Sequence, residues 1–260
     1  MIHGIGRSDN ALVVLQAIAI YARFAMNDTS KIMWIADRLV EQFGEAAVEL
    51  LDPIENLVLT ILSQNTTDVN RDRAFASLMK AFGSIDRVRL APLDRIAEAI
   101  QVGGLQQQKS RSIRGALEMI MQQRGCLELT FLNDLSLSSA RTWLTALPGV
   151  GPKTAGIVLL FSFNRPFFPA DTHIRRVMSR MGLISERGDP HPPLNKLLPA
   201  DPALMQQLHL LTIRLGRELC HPKKPACGEC SLRSKCLWLQ TDGSASKDAV
   251  TSPISKGGSR

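Results

Sequence analysis

Three groups of residues have the types and spacing to do chemistry. The first is the stretch Leu147 to Ala155, which reads LPGVGPKTA. Gly149 and Gly151 suit a tight turn that needs φ > 0 or a close backbone approach. The helix expected from Pro152 opens with unpaired N–H groups, a ready site for a phosphate. Gly149, Val150, Gly151 and Thr154 are therefore candidate backbone-phosphate contacts. Lys153 falls in the first turn of that helix, where a cation opposes the macrodipole, so helix stability alone does not select it. The same positive field favours the neutral amine, the nucleophilic form. Two roles stay open for Lys153: contacting phosphate, or attacking a sugar C1′ to form a Schiff base.

The second group is Pro169 to Val177, PADTHIRRV. Asp171 precedes a helical pattern of Ile174, Val177, Met178 and Met181, which makes it an N-cap. A capping carboxylate is held ionised by helix N–H groups and points out from the helix end. It can then stabilise positive charge developing on a sugar, or shuttle a proton. His173 either pairs with phosphate or is a structural histidine. Arg175, Arg176 and Arg180 form a basic face suited to DNA or to water.

The third group is Cys220-x6-Cys227-x2-Cys230-x5-Cys236, four of the five cysteines. Four thiolates this close form a site for zinc or for an iron–sulfur cluster, and spacing alone does not choose between them. The crowding fits poorly with a secreted disulfide framework and suits a reducing compartment. Lys223, Lys224, Arg233 and Lys235 would present positive charge beside the ligated segment. Cys126, standing alone, reads as a buried small hydrophobe.

The elements that position these residues read as helix throughout. Asp52-Pro53-Ile54-Glu55 is a start signal, with Leu57, Val58, Ile61 and Leu62 on one face. Phe75, Leu78, Met79 and Phe82 keep the same spacing up to Gly83. Ile96 and Ile100 follow Pro92 and lead to Gly103-Gly104. Ile113, Leu117, Ile120 and Met121 run to Gly125. Period-2 alternation is not sustained anywhere, so the fold class is all-α. The last 20 residues, rich in Ser, Thr and Gly, are expected to form a disordered tail from 241 to 260. The apolar run Ala11 to Met26 reads as a helix, or as an extension upstream of a start at Met26. Its charges argue against a signal peptide or a membrane span.

Length and charge bound the rest. The 260 residues suit one or two compact domains, and 45% hydrophobic with 21% charged residues is an ordinary globular balance. Thirty-one Lys and Arg against 24 Asp and Glu give +7, which points to a polyanion: nucleic acid or an anionic membrane surface. With aromatics at 5%, stacking on single strands is not the first expectation.

Taken together these residues resemble the endonuclease III family of DNA glycosylases. The motifs run in order from about Leu51 to Cys236: LSQNTTD, GLQQQK, the helix-hairpin-helix LPGVGPKTA, PADTHIRRV and the four cysteines. The resemblance implies two helical domains with duplex DNA in the cleft between them. A six-helix domain, 51–164, carries the hairpin, and residues 1–50 and 165–240 join as a cluster domain. It implies Lys153 as Schiff-base nucleophile, Asp171 as catalytic carboxylate, and Cys220, Cys227, Cys230 and Cys236 as ligands of a [4Fe–4S] cluster. The implied reaction flips a damaged, oxidised pyrimidine out of the duplex, removes it and cleaves the abasic site by β-elimination. Gln64, Asn65 and Leu105 would fill the vacated stack, with His173 also at the DNA. A cytoplasmic monomer (nucleoid-associated in a bacterium) without membrane attachment is implied too. The family often reads LSAQATD and GLYNSKA where this chain has LSQNTTD and GLQQQKS, so the lyase assignment is firmer than the base preference. Two other readings stand beside it. One is a monofunctional mismatch glycosylase for thymine, uracil or adenine; the adenine enzymes usually lack the hairpin lysine and carry a further C-terminal domain. The other is a non-catalytic DNA-binding protein with structural zinc.

Overall fold

The computed structural model describes residues 27–241. The expectations for the run Ala11 to Met26, for the alternative start and for 242–260 lie outside the described residues. Thr241, where the tail was expected to begin, instead ends a short helix. Among the described residues there are twelve α-helices, three short 3-10 turns and no strand, as the all-α reading expects.

Helices α2 to α7 build the first core. They are α2 (Pro53–Leu62), α3 (Asp68–Phe82), α4 (Ile85–Leu90), α5 (Leu93–Ala99), α6 (Gln106–Arg124) and α7 (Leu137–Thr145), joined by the first half of α8 (Pro152–Phe163). Asp52 caps α2, its carboxylate accepting from the N–H groups of Ile54 and Glu55 at 3.0 and 2.9 Å. Gly83, at φ +78°, ends α3 by donating its N–H to Met79. Leu57, Ile61, Leu78, Ile96, Ile113, Leu117 and Ile120 are fully buried together. Each such side chain contributes about 1.5–3 kcal/mol when withdrawn from water.

A second core lies under α1 (Asp28–Phe43), α9 (Thr172–Arg180), α10 (His191–Leu197) and α11 (Pro202–Glu218). Ile32, Ile35 and Leu39 of α1 meet Met178, Leu208 and Leu215, and Leu232 from the cysteine segment joins them. Residues near the two ends of the described chain are tied directly. The Gln42 side-chain amide donates to the Glu229 carbonyl at 2.8 Å and accepts from the Ser231 N–H at 3.0 Å. Gln207 makes the same two-way bond with the backbone of Ala46.

Helix α8 serves both cores, which explains why its sequence lacks an amphipathic stripe. Ala155, Val158 and Leu159 face the first, Leu160 and Phe161 the second. Gly156 lets the Phe167 ring approach, since a Cβ there would lie 2.7 Å from it. No described helix is long and apolar enough to cross a membrane.

Candidate active site and cysteine loop

The hairpin turn packs its apolar part inward. Val150 and Thr154 are buried, so the side chains of these two expected contacts are withheld from the surface. Gly149 adopts φ +75°, and a Cβ there would lie 2.4 Å from the Ser112 hydroxyl of α6. Helix α8 then starts with Pro152, which has no N–H, and with no side chain capping the turn. Of the helices with eight or more described residues, only α8 and α6 begin without such a cap. Their first-turn N–H groups remain available to an anion.

Lys153 is half-buried, and no described side chain or carbonyl hydrogen-bonds or ion-pairs with it. Asp171 caps α9, one carboxylate oxygen accepting the Ile174 N–H at 2.8 Å. The two residues share a neighbour, His209 of α11. Its imidazole is buried, within hydrogen-bond distance of the Pro169 carbonyl (3.0 Å) and edge-on to Phe161 and Phe168. Burial holds its pKa down to about 4; the Asp171 charge works against that shift, and the Lys153 charge adds to it. At neutral pH His209 is therefore uncharged.

A bidentate ion pair closes the other side. Arg217, at the end of α11, donates to both oxygens of Asp68, in the first turn of α3, at 2.5 and 3.1 Å. The Arg217 hydrogen bond holds the Asp68 carboxyl below its ordinary value, with a further contribution from Lys153. Asp171 in turn favours the charged Arg217. Lys153, Asp171, Asp68, Arg217 and His209 thus form one electrostatic group drawn from α3, α8, α9 and α11. Asp68, His209 and Arg217 were not anticipated from sequence: each lies in a helical segment far along the chain from the lysine.

The expected probing residues sit on two neighbouring loops. Gln64 donates to the Gly149 carbonyl at 3.0 Å, which fastens its loop to the hairpin. Asn65 is exposed. Leu105 is 47% exposed. His173 is half-buried, packed against Gly216 with Nδ1 3.1 Å from Arg176.

The basic face expected on α9 is corrected in part. Arg176 donates to the carbonyls of Cys220 and Gly216, both at 2.7 Å. Arg180 donates to the Cys220 sulfur at 3.1 Å and the His221 carbonyl at 2.8 Å, and its guanidinium lies over Trp238. Both arginines serve the cysteine loop instead of facing water. Cys220, Cys227, Cys230 and Cys236 line one pocket with Leu219, Pro225, Ala226, Trp238 and Leu239. Burial pushes the Cys230 thiol up to about 11 and raises that of Cys227; thiolates there need compensating positive charge. Among the described residues, no three His, Cys, Asp or Glu side chains are grouped to hold a single metal ion. Cys126 is exposed, not buried; it follows the Gly125 helix stop, where the chain has left the apolar stripe of α6.

The helix-hairpin-helix, its lysine and the capping aspartate on an all-helical scaffold define a class of DNA repair protein. Residues 58–199 match the HhH-GPD superfamily of base excision DNA repair proteins. The chain belongs to this superfamily, and within it to the endonuclease III family. It is 37% identical to the endonuclease III of Sulfolobus acidocaldarius over 187 residues, 70% of this chain and 80% of that one. The endonuclease III of Thermotoga maritima is 30% identical over 211 residues, 80% and 93% of the two chains. A solved structure of a non-covalent endonuclease III–DNA complex superposes with a TM-score of 0.67 at 26% identity, covering 81% of this chain and 96% of that one. The protein is a base excision repair DNA glycosylase.

Proposed function

We propose that the protein is a bifunctional glycosylase and abasic-site lyase acting on oxidised pyrimidines in duplex DNA. The observation that carries this reading is Lys153: an unpaired, half-buried amine on an uncapped helix start, sharing the neutral His209 as neighbour with the Asp171 carboxylate. In the first step the Lys153 Nζ lone pair attacks C1′ and the N-glycosidic bond breaks, the base leaving with the bonding electrons and taking up a proton. Asp171 stabilises the positive charge on the sugar and moves protons at Nζ and the ring oxygen. Loss of a C2′ proton then expels the 3′ phosphate by β-elimination, and water releases the sugar from Lys153.

Duplex DNA would lie across the two uncapped helix starts and the Asn65 and Leu105 loops. Gly149, Gly151, and the backbones of Val150 and Thr154 would contact phosphate, and His173 would act nearby. Residues 51–164 form the hairpin domain in this reading, and 1–50 with 165–240 the other. The protein would work as a cytoplasmic monomer, nucleoid-associated in a bacterium.

Cys220, Cys227, Cys230 and Cys236 would hold a [4Fe–4S] cluster. Four cysteines around one pocket, with no three described ligating side chains grouped closely enough for a single ion, fit a cluster of several atoms better than a lone zinc ion. When bound, the cluster supplies positive charge to offset four thiolates and fixes the loop's shape.

The test is borohydride trapping on duplex DNA with one abasic site, comparing the intact protein with Lys153→Gln. The expected result is a covalent adduct that the variant does not form. A protein that folds and binds the DNA but traps nothing is monofunctional.

A further inference from the structure

Lys109 leaves only 1% of its surface exposed. Its Nζ donates to two backbone carbonyls, Leu62 and Gly103, both at 2.7 Å. Among the described residues no carboxylate pairs with it, and burial lowers its pKa. Burying an ammonium costs several kcal/mol unless its hydrogens are well used, so the position of these two carbonyls matters.

Each carbonyl stands at the root of one loop that faces the proposed DNA site. Leu62 is the last residue of α2 and precedes Ser63-Gln64-Asn65. Gly103 precedes Gly104-Leu105, which opens α6. Each loop holds one residue in the same unusual conformation: Asn65 at φ +51° and Leu105 at φ +50°, two of four described non-glycine residues with positive φ. For leucine the left-handed region is strained, and such strain persists only where surrounding structure enforces it. The room beneath is tight as well, since a Cβ on Gly103 would lie 3.2 Å from Ala74.

We infer that Lys109 is a positioning residue that ties the Asn65 and Leu105 loops into one two-pronged unit, so that both enter the base stack together when a nucleotide is extruded. The inference rests on the DNA reading above, though not on the lyase chemistry. An apolar side chain of equal length would fill the space but leave the two loop roots independent. Unstacking a paired base costs a few kcal/mol, and prongs that yield separately supply less of it.

The experiment uses duplex DNA with 2-aminopurine beside a tetrahydrofuran abasic analogue, which cannot be cleaved by the lyase step. Saturating intact protein is expected to raise the fluorescence as the prongs displace the neighbouring base. Lys109→Met, at saturation and with its helical circular dichroism retained, is expected to lose most of that rise. On a Leu105→Ala background the same change is expected to add little, because one prong is already gone. If Lys109→Met does not fold, Lys109→Arg takes its place: the guanidinium keeps the charge but, planar and larger, cannot fill the enclosed point 2.7 Å from both carbonyls without displacing a loop root. A full rise with the folded variant overturns the inference, as does no rise with the intact protein, or equal losses on both backgrounds. The readout needs no catalysis, so it stands apart from the Lys153 trapping result. With a cleavable lesion, the variant should excise a paired base about tenfold more slowly while sparing the same base in a mismatch.

Discussion

Helices α8 and α9 both begin at the candidate site, and they begin in opposite ways. Helix α9 starts as stability would have it, with a carboxylate on its positive end accepting an N–H. Helix α8 has the favoured proline at its first position but otherwise starts against those rules, with no capping side chain and a cation in the first turn. In the proposed mechanism the contrast separates two kinds of functional residue. Asp171 has a structural role that its chemistry can share, whereas Lys153 occupies its place at some cost to the helix. A site can thus be found where local rules fail, and half of this one is hidden where they are obeyed.

The sharpest way to break the comparison is Asp171→Asn. Asparagine caps as well as aspartate, so the melting temperature should hold while base excision falls about a hundredfold or more. A variant that keeps its rate would reduce Asp171 to a cap. On the α8 side, Gly149→Ala forces a side chain into positive φ and against Ser112. It should cost about 2 kcal/mol in denaturant unfolding and weaken binding to undamaged duplex.

The group between the two helix starts gives a smaller, pH-dependent effect. His209 has a folded pKa near 4 against 6.5 when unfolded. As pH falls through that window the unfolded chain takes up a proton that the folded one refuses, so stability drops. Thermal melts from pH 6.5 to 4 should slope less steeply in His209→Gln. The smallest effect belongs to Asp68, whose pKa is lowered chiefly by Arg217. Its contribution is present above the unfolded value and lost as pH falls through the folded one. Because the pair is partly exposed, Asp68→Asn should remove under about 1 kcal/mol at neutral pH, seen in urea titrations.

Much of this was legible in the sequence because the signals were local. The Asp52 and Asp171 caps, the Gly83 and Gly125 stops and the LPGVGPKTA turn each depend on residues within a few positions. What could not be read depends on contacts between distant segments. Arg217 meets Asp68 across 149 positions, and Arg176 and Arg180 turn toward carbonyls and a sulfur some 40 positions on, where a helical wheel shows only a charged face. Lys109 did leave a trace. It lies on the stripe of Ile113, Ala116 and Ile120, where a charge is out of place unless something buried receives it.

The tie between Gln42 and the Glu229–Ser231 segment has a consequence for how the protein is made. The first core draws on α2 to α8, a continuous stretch that can close as soon as α8 leaves the ribosome. The second needs Ile32, Ile35 and Leu39 to meet Leu232, and its Gln42 bond to Ser231 spans 189 positions. Helix α1 is thus synthesised before its partners and must wait, its apolar face uncovered, until the segment around Ser231 and Leu232 has emerged. The half that holds the cysteines therefore cannot close until its cysteine segment has emerged, beside a hairpin half whose helices are already made.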